Sequence, residues 1–307
     1  MKPLSASAAL MALLAVGHIA AASAATSGDI NAIGVENEYA DVISQIGGKF
    51  VKVHAILTDP NTDPHTFEVS PTLAKQLAAA QLIVENGVGY DDWADKLMSA
   101  SPSPNRKVIN VQRLLGLPDD TANPHLWYDP KTMPAVAKAI AENLSTLNPA
   151  QATYFQANAQ KFVASLEPWN AAIASFKAKY DRTPIAVTEP VADYMLDAMG
   201  FDILTPFSLQ KAIMDGTDPA PQDVTAQNDL FNGHKVKVFA YNQQVTSSLT
   251  NTYRGLAQKN GVPVVGVYET MPTPGYTYQT WMLAEVAALG KAVTDKVSTE
   301  TLQKKGD

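Results

Sequence analysis

Residues 149–180 constrain this chain more than any other stretch. These 32 residues contain no glycine and one internal proline, Pro168. Ala152, Phe155, Ala159, Phe162, Leu166, Trp169 and Ile173 recur at spacings of three and four, the period of one apolar helix face. At 1.5 Å per residue such a helix would run ~48 Å, longer than one lobe of a protein this size is wide. The segment therefore predicts one long amphipathic helix, kinked near Pro168, that joins two lobes as a rigid strut. The competing expectation is two ordinary helices broken at Pro168.

Short apolar segments alternate with helical ones on both sides of the strut. The expected strands are residues 30–35, 51–57, 82–85 and 108–111 before it, and 185–188, 201–205, 236–241 and 262–267 after it. Helical patterns at 39–46, 71–80, 93–98 and 130–147, then 191–199, 221–231, 249–260 and 278–295, separate or follow them. Such alternation means βαβ units and a largely parallel sheet. The expected class is α/β, with two lobes of largely parallel sheet joined by the strut. The N-terminal lobe is placed at residues 25–148, the connecting helix at 149–180 and the C-terminal lobe at 181–307.

The 307 residues are 46% hydrophobic and 17% charged, enough to bury a core in each lobe. A net charge of −7 argues against nucleic acid and against anionic membrane surfaces as partners. Residues 1–24 read as a secretory signal, with Lys2 ahead of an apolar run over 8–22 and a cleavage site at Ala22-Ser23-Ala24. The chain has no cysteine. That removes disulfides, thiolate ligands, cysteine nucleophiles and a lipid-modified cysteine. A mature periplasmic protein is expected, cleaved, not membrane-embedded and monomeric.

Two histidines stand in matched local settings. In Asn123-Pro124-His125-Leu126-Trp127-Tyr128-Asp129-Pro130 the prolines hold His125 on a stiff, extended segment. Asp129 and Pro130 then read as an N-cap and first helical residue. Asp63-Pro64-His65-Thr66-Phe67 repeats the Pro-His device 60 residues earlier, ahead of a second helix start at Ser70-Pro71. Two preset imidazoles suggest a metal site. Ligands in open parallel sheets gather beyond the carboxyl ends of strands. His65 follows strand 51–57 and His125 lies beyond strand 108–111. Glu189 ends strand 185–188 and Glu269 ends strand 262–267. The candidate metal set is therefore His65, His125, Glu189 and Glu269, two from each lobe, meeting in the interlobe cleft. Two imidazoles and two carboxylates suit zinc, iron or manganese. His54, within a strand, and His234, in a turn, are expected to pack or face solvent.

At these residues the sequence resembles the metal-binding solute-binding proteins of ABC transporters, the zinc/manganese-uptake family (cluster A-I). The marks are Asp63-Pro64-His65-Thr66-Phe67-Glu68, the turn Asn86-Gly87-Val88-Gly89-Tyr90 with Trp93, the segment from Asn123 to Pro130, and the long central helix. The resemblance covers nearly the whole mature chain. It implies two α/β lobes joined by one long helix and one divalent ion between them as transported ligand, Zn²⁺ or Mn²⁺ with Fe²⁺ also admitted. It also implies delivery to a membrane permease. The family's ligands fall on His65, His125, Glu189 and an acid near Glu269. Zinc-type members carry His where Glu189 stands, whereas manganese- and iron-type members carry Glu. The last ligand is commonly Asp, and a His/Asp-rich loop of zinc-type members is absent. Both the glutamate and the missing loop lean away from the usual zinc pattern.

Catalysis is not expected. No His-Glu-x-x-His, Gly-x-Ser-x-Gly or phosphate-cradling glycine loop is present. A secreted metal-dependent hydrolase remains the rival, and it requires a coordination position open to water. A binding protein for a metal chelate or small organic ligand would need aromatic or arginine groups in the cleft rather than convergent His and Glu, and arginine is scarce. A single long helix resists hinge bending, so release is expected to move loops near His65, His125 or Glu269. The signal reading is checked by N-terminal sequencing of exported protein, which should begin at Ala25. A retained Met1, or partition into detergent, would contradict it.

Overall fold

The computed structural model describes residues 29–302, so the expected signal at 1–24 lies outside the described residues. The first half runs β1 (Ile30–Glu36), α1 (Asn37–Gly47), β2 (Val51–Leu57), α2 (Pro71–Ala79), β3 (Leu82–Glu85), α3 (Asp92–Ala100), β4 (Lys107–Asn110), α4 (Val111–Leu114) and α5 (Thr132–Leu147). Then come α6 (Ala152–Ser165) and α7 (Glu167–Tyr180). The second half runs β5 (Pro184–Val187), α8 (Asp193–Met199), β6 (Asp202–Ile203), α9 (Phe207–Met214), α10 (Pro221–Asn232), β7 (Val238–Asn242), α11 (Ser248–Lys259), β8 (Val264–Val267) and α12 (Tyr278–Asp295).

The strands form two four-stranded sheets in the orders β2-β1-β3-β4 and β6-β5-β7-β8. Every pair is parallel, as in Gly34 beside Val84 and Val187 beside Ala240. β3 and β8 are buried along their whole length. This is why they read as unbroken apolar runs rather than alternating ones. β2 lies at an edge and exposes Lys52 and His54. In each sheet the strand order reverses between the first and third strands. A crevice opens there at the carboxyl ends, and all four candidate ligands follow such ends.

The connector is helical from α6 to α7, interrupted at Leu166, whose backbone stays right-handed at φ −80° and ψ −11°. Pro168 causes the interruption. It has no N–H to offer the carbonyl of Ala164, and its ring crowds that oxygen. A 3₁₀ turn, Pro149–Gln151, precedes α6. α6 packs on α1 and α5, and α7 packs on α8 and α12, so each half of the connector belongs to a different lobe. Several expected boundaries move; strand 201–205 shortens to Asp202–Ile203, and the shift at α5 has a visible cause. α5 begins at Thr132 rather than Pro130, because Asp129 forms a turn instead of a cap. Its side chain accepts the N–H of Lys131 at 2.9 Å and its carbonyl accepts that of Thr132 at 3.0 Å. α4 and α9 are too short to show a periodic pattern in the sequence.

One apolar core runs unbroken through both lobes. Its middle is an aromatic seam of Trp127, Tyr128, Trp169, Tyr278 and Trp281, each at most 1% exposed. Tyr128 meets Trp281 at 5.6 Å and Trp169 meets Tyr278 at 5.9 Å between ring centroids, both edge-on. Buried hydroxyls need partners. Tyr278 donates to the carbonyl of Trp127 at 2.6 Å and Tyr128 to that of Tyr268 at 2.9 Å. Asn37, just after β1, pairs its amide with both backbone groups of Met271, each at 2.9 Å. Smaller apolar clusters back the far faces of the two sheets.

Several acids share this interior. Burial pushes the carboxyls of Glu85, Asp193 and Glu285 each up to about 8. Their unfolded values lie near ~4. The folded chain therefore binds more protons than the unfolded chain between about pH 4.5 and 8, and stability falls as pH rises through that window. Chelator-treated protein should melt at a higher temperature at pH 6.5 than at pH 8.5. Differential scanning calorimetry checks this, and an equal or lower midpoint at pH 6.5 would refute it.

Candidate metal centre

Each histidine is set by its neighbour two residues back. Asp63 accepts the backbone N–H of His65 at 2.8 Å and caps the 3₁₀ turn Pro64–Thr66, in which Pro64 occupies the first position. Asn123 accepts the backbone N–H of His125 at 3.0 Å and also contacts its ring Nδ1 at 2.8 Å. The amide nitrogen of Asn123 donates to the carbonyl of Pro190 at 2.7 Å. Its oxygen must therefore be the acceptor, so His125 Nδ1 carries the hydrogen and Nε2 keeps its lone pair. The turn after β3 supports the same segment. Asp91 accepts the N–H groups of Asn86 and Gly87, and Asn86 donates to the carbonyl of Pro124 at 2.7 Å. Gly87, Val88 and Gly89 all have positive φ, a run for which glycine is suited and valine is strained.

The two rings point at one oxygen. His65 Nε2 lies 3.2 Å and His125 Nε2 3.3 Å from Glu269 Oε2. Two donors bound ~2.0–2.2 Å from one ion at a tetrahedral angle would stand ~3.4 Å apart. The observed separations match the edges of such a polyhedron. These three side chains are the one group among the described residues whose ligand atoms all lie within 4.8 Å of one another. Tyr90 donates its hydroxyl to Glu269 Oε2 at 3.0 Å, and Asn242 donates to Glu269 Oε1 at 2.7 Å.

Glu189 stands beside this group rather than within it. The amide nitrogen of Asn242 reaches Glu189 Oε1 at 3.2 Å as well as Glu269. Glu189 Oε2 is buried with no hydrogen-bond partner among the described residues. His54 is exposed on β2, and His234 is exposed in a turn at φ 52°. Neither approaches the cluster.

Charge in the cluster is unevenly distributed. Burial alone would raise the pKa of Glu269, but His125 and His65 hold it far below the carboxylate range. Burial, and then the Glu269 charge, push Glu189 well up. The two carboxyls are thus pushed in opposite directions, Glu269 toward the charged form and Glu189 toward the neutral one. Burial lowers the pKa of His125 despite Glu269. Burial also acts against charge on His65, but Glu269 and Asp63 outweigh it and its value is raised. The His65 side chain keeps 25% of its surface exposed against 0% for His125. It lines a mouth of about 410 Å³ shared by Val88, Tyr90 and Asp120 from one half and Lys211 and Asp215 from the other.

Sequence reasoning named all four candidates and missed the groups that hold them. Asn242 and Gln244 lie at the carboxyl end of β7, the same kind of place that yielded Glu189 and Glu269. Applying the strand-end rule to amides as well as to acids and imidazoles would have found them.

The fold and the cluster define a class: two-lobed α/β binding proteins in which His and Glu side chains from both lobes converge in the cleft. Residues 36–292 match the profile of the family described as "Zinc-uptake complex component A periplasmic", and the chain belongs to that family. It is 27% identical over 203 residues to the manganese-binding lipoprotein MntA of Halalkalibacterium halodurans, covering 63% of this chain and 66% of that one. Across three curated relatives the match spans 61%, 59% and 66% of their length. The fold superposes on the periplasmic zinc-binding protein TroA of Treponema pallidum with a TM-score of 0.73 at 18% identity, covering 88% of this chain and all of that one. It also superposes on the manganese complex of FpvC from Pseudomonas aeruginosa, with a TM-score of 0.71 at 20% identity over 88% of this chain and all of that one.

Proposed function

We propose that this chain is the extracytoplasmic solute-binding component of an ABC transporter. It captures one divalent transition-metal ion, Zn²⁺ or Mn²⁺, and delivers it to a membrane permease. The observation that carries this reading is the convergence of two imidazole nitrogens from the first lobe on Glu269 Oε2 from the second, at 3.2 and 3.3 Å. Family membership supports it, since the family's own description is of a zinc-uptake component in the periplasm. The compartment proposed here is the same. No helix among the described residues is long and apolar enough to cross a membrane, so the permease supplies the passage.

In this reading His65, His125 and Glu269 bind the ion, and Glu189 completes the set through its unpartnered Oε2. Around a dication both carboxylates are anionic and both imidazoles neutral, so any proton held on these groups competes with the ion. The lobes are taken as residues 25–148 and 181–307, with 149–180 as the link.

Calorimetric titration of chelator-treated protein should give one ion per chain. His65→Ala and His125→Ala should each weaken binding by more than the ~10–100-fold cost of losing a residue that only supports a ligand. His54→Ala and His234→Ala should leave it unchanged. Equal losses at His234 and His125 would refute the assignment.

Selectivity tests Glu189. A carboxylate offers one or two hard oxygens, which suits the higher coordination Mn²⁺ accepts, whereas Zn²⁺ prefers four ligands in a tetrahedron. Glu189→His should lower Mn²⁺ affinity and keep or raise Zn²⁺ affinity in competition titrations. Parallel loss of both would place Glu189 behind the ligands instead of among them.

A further inference from the structure

Gln244 makes an unusual set of bonds for a side chain that touches no candidate ligand atom. It is buried, at 5% exposure. Its Oε1 accepts two successive backbone N–H groups, from Glu269 at 2.6 Å and Thr270 at 2.9 Å. Its Nε2 donates to the hydroxyl of Thr270 at 3.1 Å and, across the cleft, to the carbonyl of Thr62 at 2.8 Å. Its own backbone N–H donates to Asn242 Oδ1 at 3.0 Å, and Asn242 holds both carboxylates.

Thr62 stands three residues before His65, in the loop between β2 and the His65 turn. Short-range bonds shape that loop. Asp59 accepts from Asn61 and Thr62, and Asp63 accepts from His65. A cavity of about 250 Å³ lies beneath it, lined by Ile56, Leu57, Pro64 and Phe67. The loop therefore has room to move, and His65 would move with it.

We propose that Gln244 is a positioning residue that ties the His65 loop to the Glu269 turn, so that the two lobes hold the ion as one unit and the tether sets the rate of its release. This rests on the metal-binding reading above. The physical argument is geometric. Only a side chain with an acceptor and a donor on the same rigid amide can satisfy the Glu269 turn and reach the Thr62 carbonyl together. Separating the loop from the turn breaks the Thr62 bond and exposes a buried amide that has no second partner across the cleft. Supporting residues of this kind typically alter metal binding by ~10–100-fold, and changes within one site fall chiefly on the dissociation rate.

Gln244→Met keeps the length and volume of the side chain and removes both halves of the amide. Hydrogen exchange on chelator-treated protein should show faster exchange across residues 58–66, with β3 unchanged. Stopped-flow release of Zn²⁺ into a coloured chelator should be about tenfold faster than in the wild type, with association changed by less than ~3-fold. A general loss of stability would instead speed exchange in β3 as well. Should Gln244→Met fail to fold, Gln244→Asn serves in its place, since it retains an amide one methylene too short to span both loops. Unchanged exchange over 58–66, or unchanged release, overturns the tether. A wild type that binds no Zn²⁺ or Mn²⁺ overturns the functional reading, while the exchange result still tests the tether separately.

Discussion

A carboxylate removed from water costs several kcal/mol unless charges and hydrogen bonds replace the solvent, and the side chain of Glu269 keeps 0% of its surface exposed. The cleft is arranged around meeting that demand. Two imidazoles face the anion, and a tyrosine hydroxyl and an asparagine amide donate to it. They arrive from the loop after β2, the segment after β4, the turn after β3 and the end of β7. No single lobe could assemble them. Buried in the docked cleft, the carboxylate depends on partners from both lobes to replace its lost water. The same geometry raises the pKa of Glu189, first through burial and then through the Glu269 charge.

The rest of the architecture keeps those four elements in place. Parallel strands deliver every candidate to the same end of each sheet, and the order reversals open the crevice there. Short local devices then aim the side chains. Asp63 and Asn123 each lock a histidine two residues on, and Asn123 also selects the tautomer of His125. Hydrogen bonds to the non-binding nitrogen are a recurrent way to orient a ligating imidazole.

Much of this was legible in the sequence. β3 and α12 fall on the expected residues, since a short buried run between turn signals and a long uninterrupted helix leave little choice. The matched Pro-His segments marked His65 and His125, and the strand-end rule marked Glu189 and Glu269. What the sequence could not supply was distance. It cannot say that three of the four side chains share one point while Glu189 stands behind an amide. It also cannot show that Asn242, Gln244 and Asn37 reach partners far away along the chain. Amides carry no charge and no motif, so their roles emerge only from packing. The start of α5 was misplaced for a related reason. Asp-Pro signals both a helix cap and a turn, and tertiary context chose the turn.

The aromatic seam between the lobes has a consequence for how such a chain can be divided. Trp127 and Tyr128 come from the first half, Trp169 from the connector, and Tyr278 and Trp281 from the last helix. Cutting the gene between the lobes would leave each fragment with an exposed aromatic face and half a core. The protein is thus bilobal in outline but a single unit of inheritance. A recombination that exchanged one lobe for a relative's would have to bring that relative's share of the seam along with it.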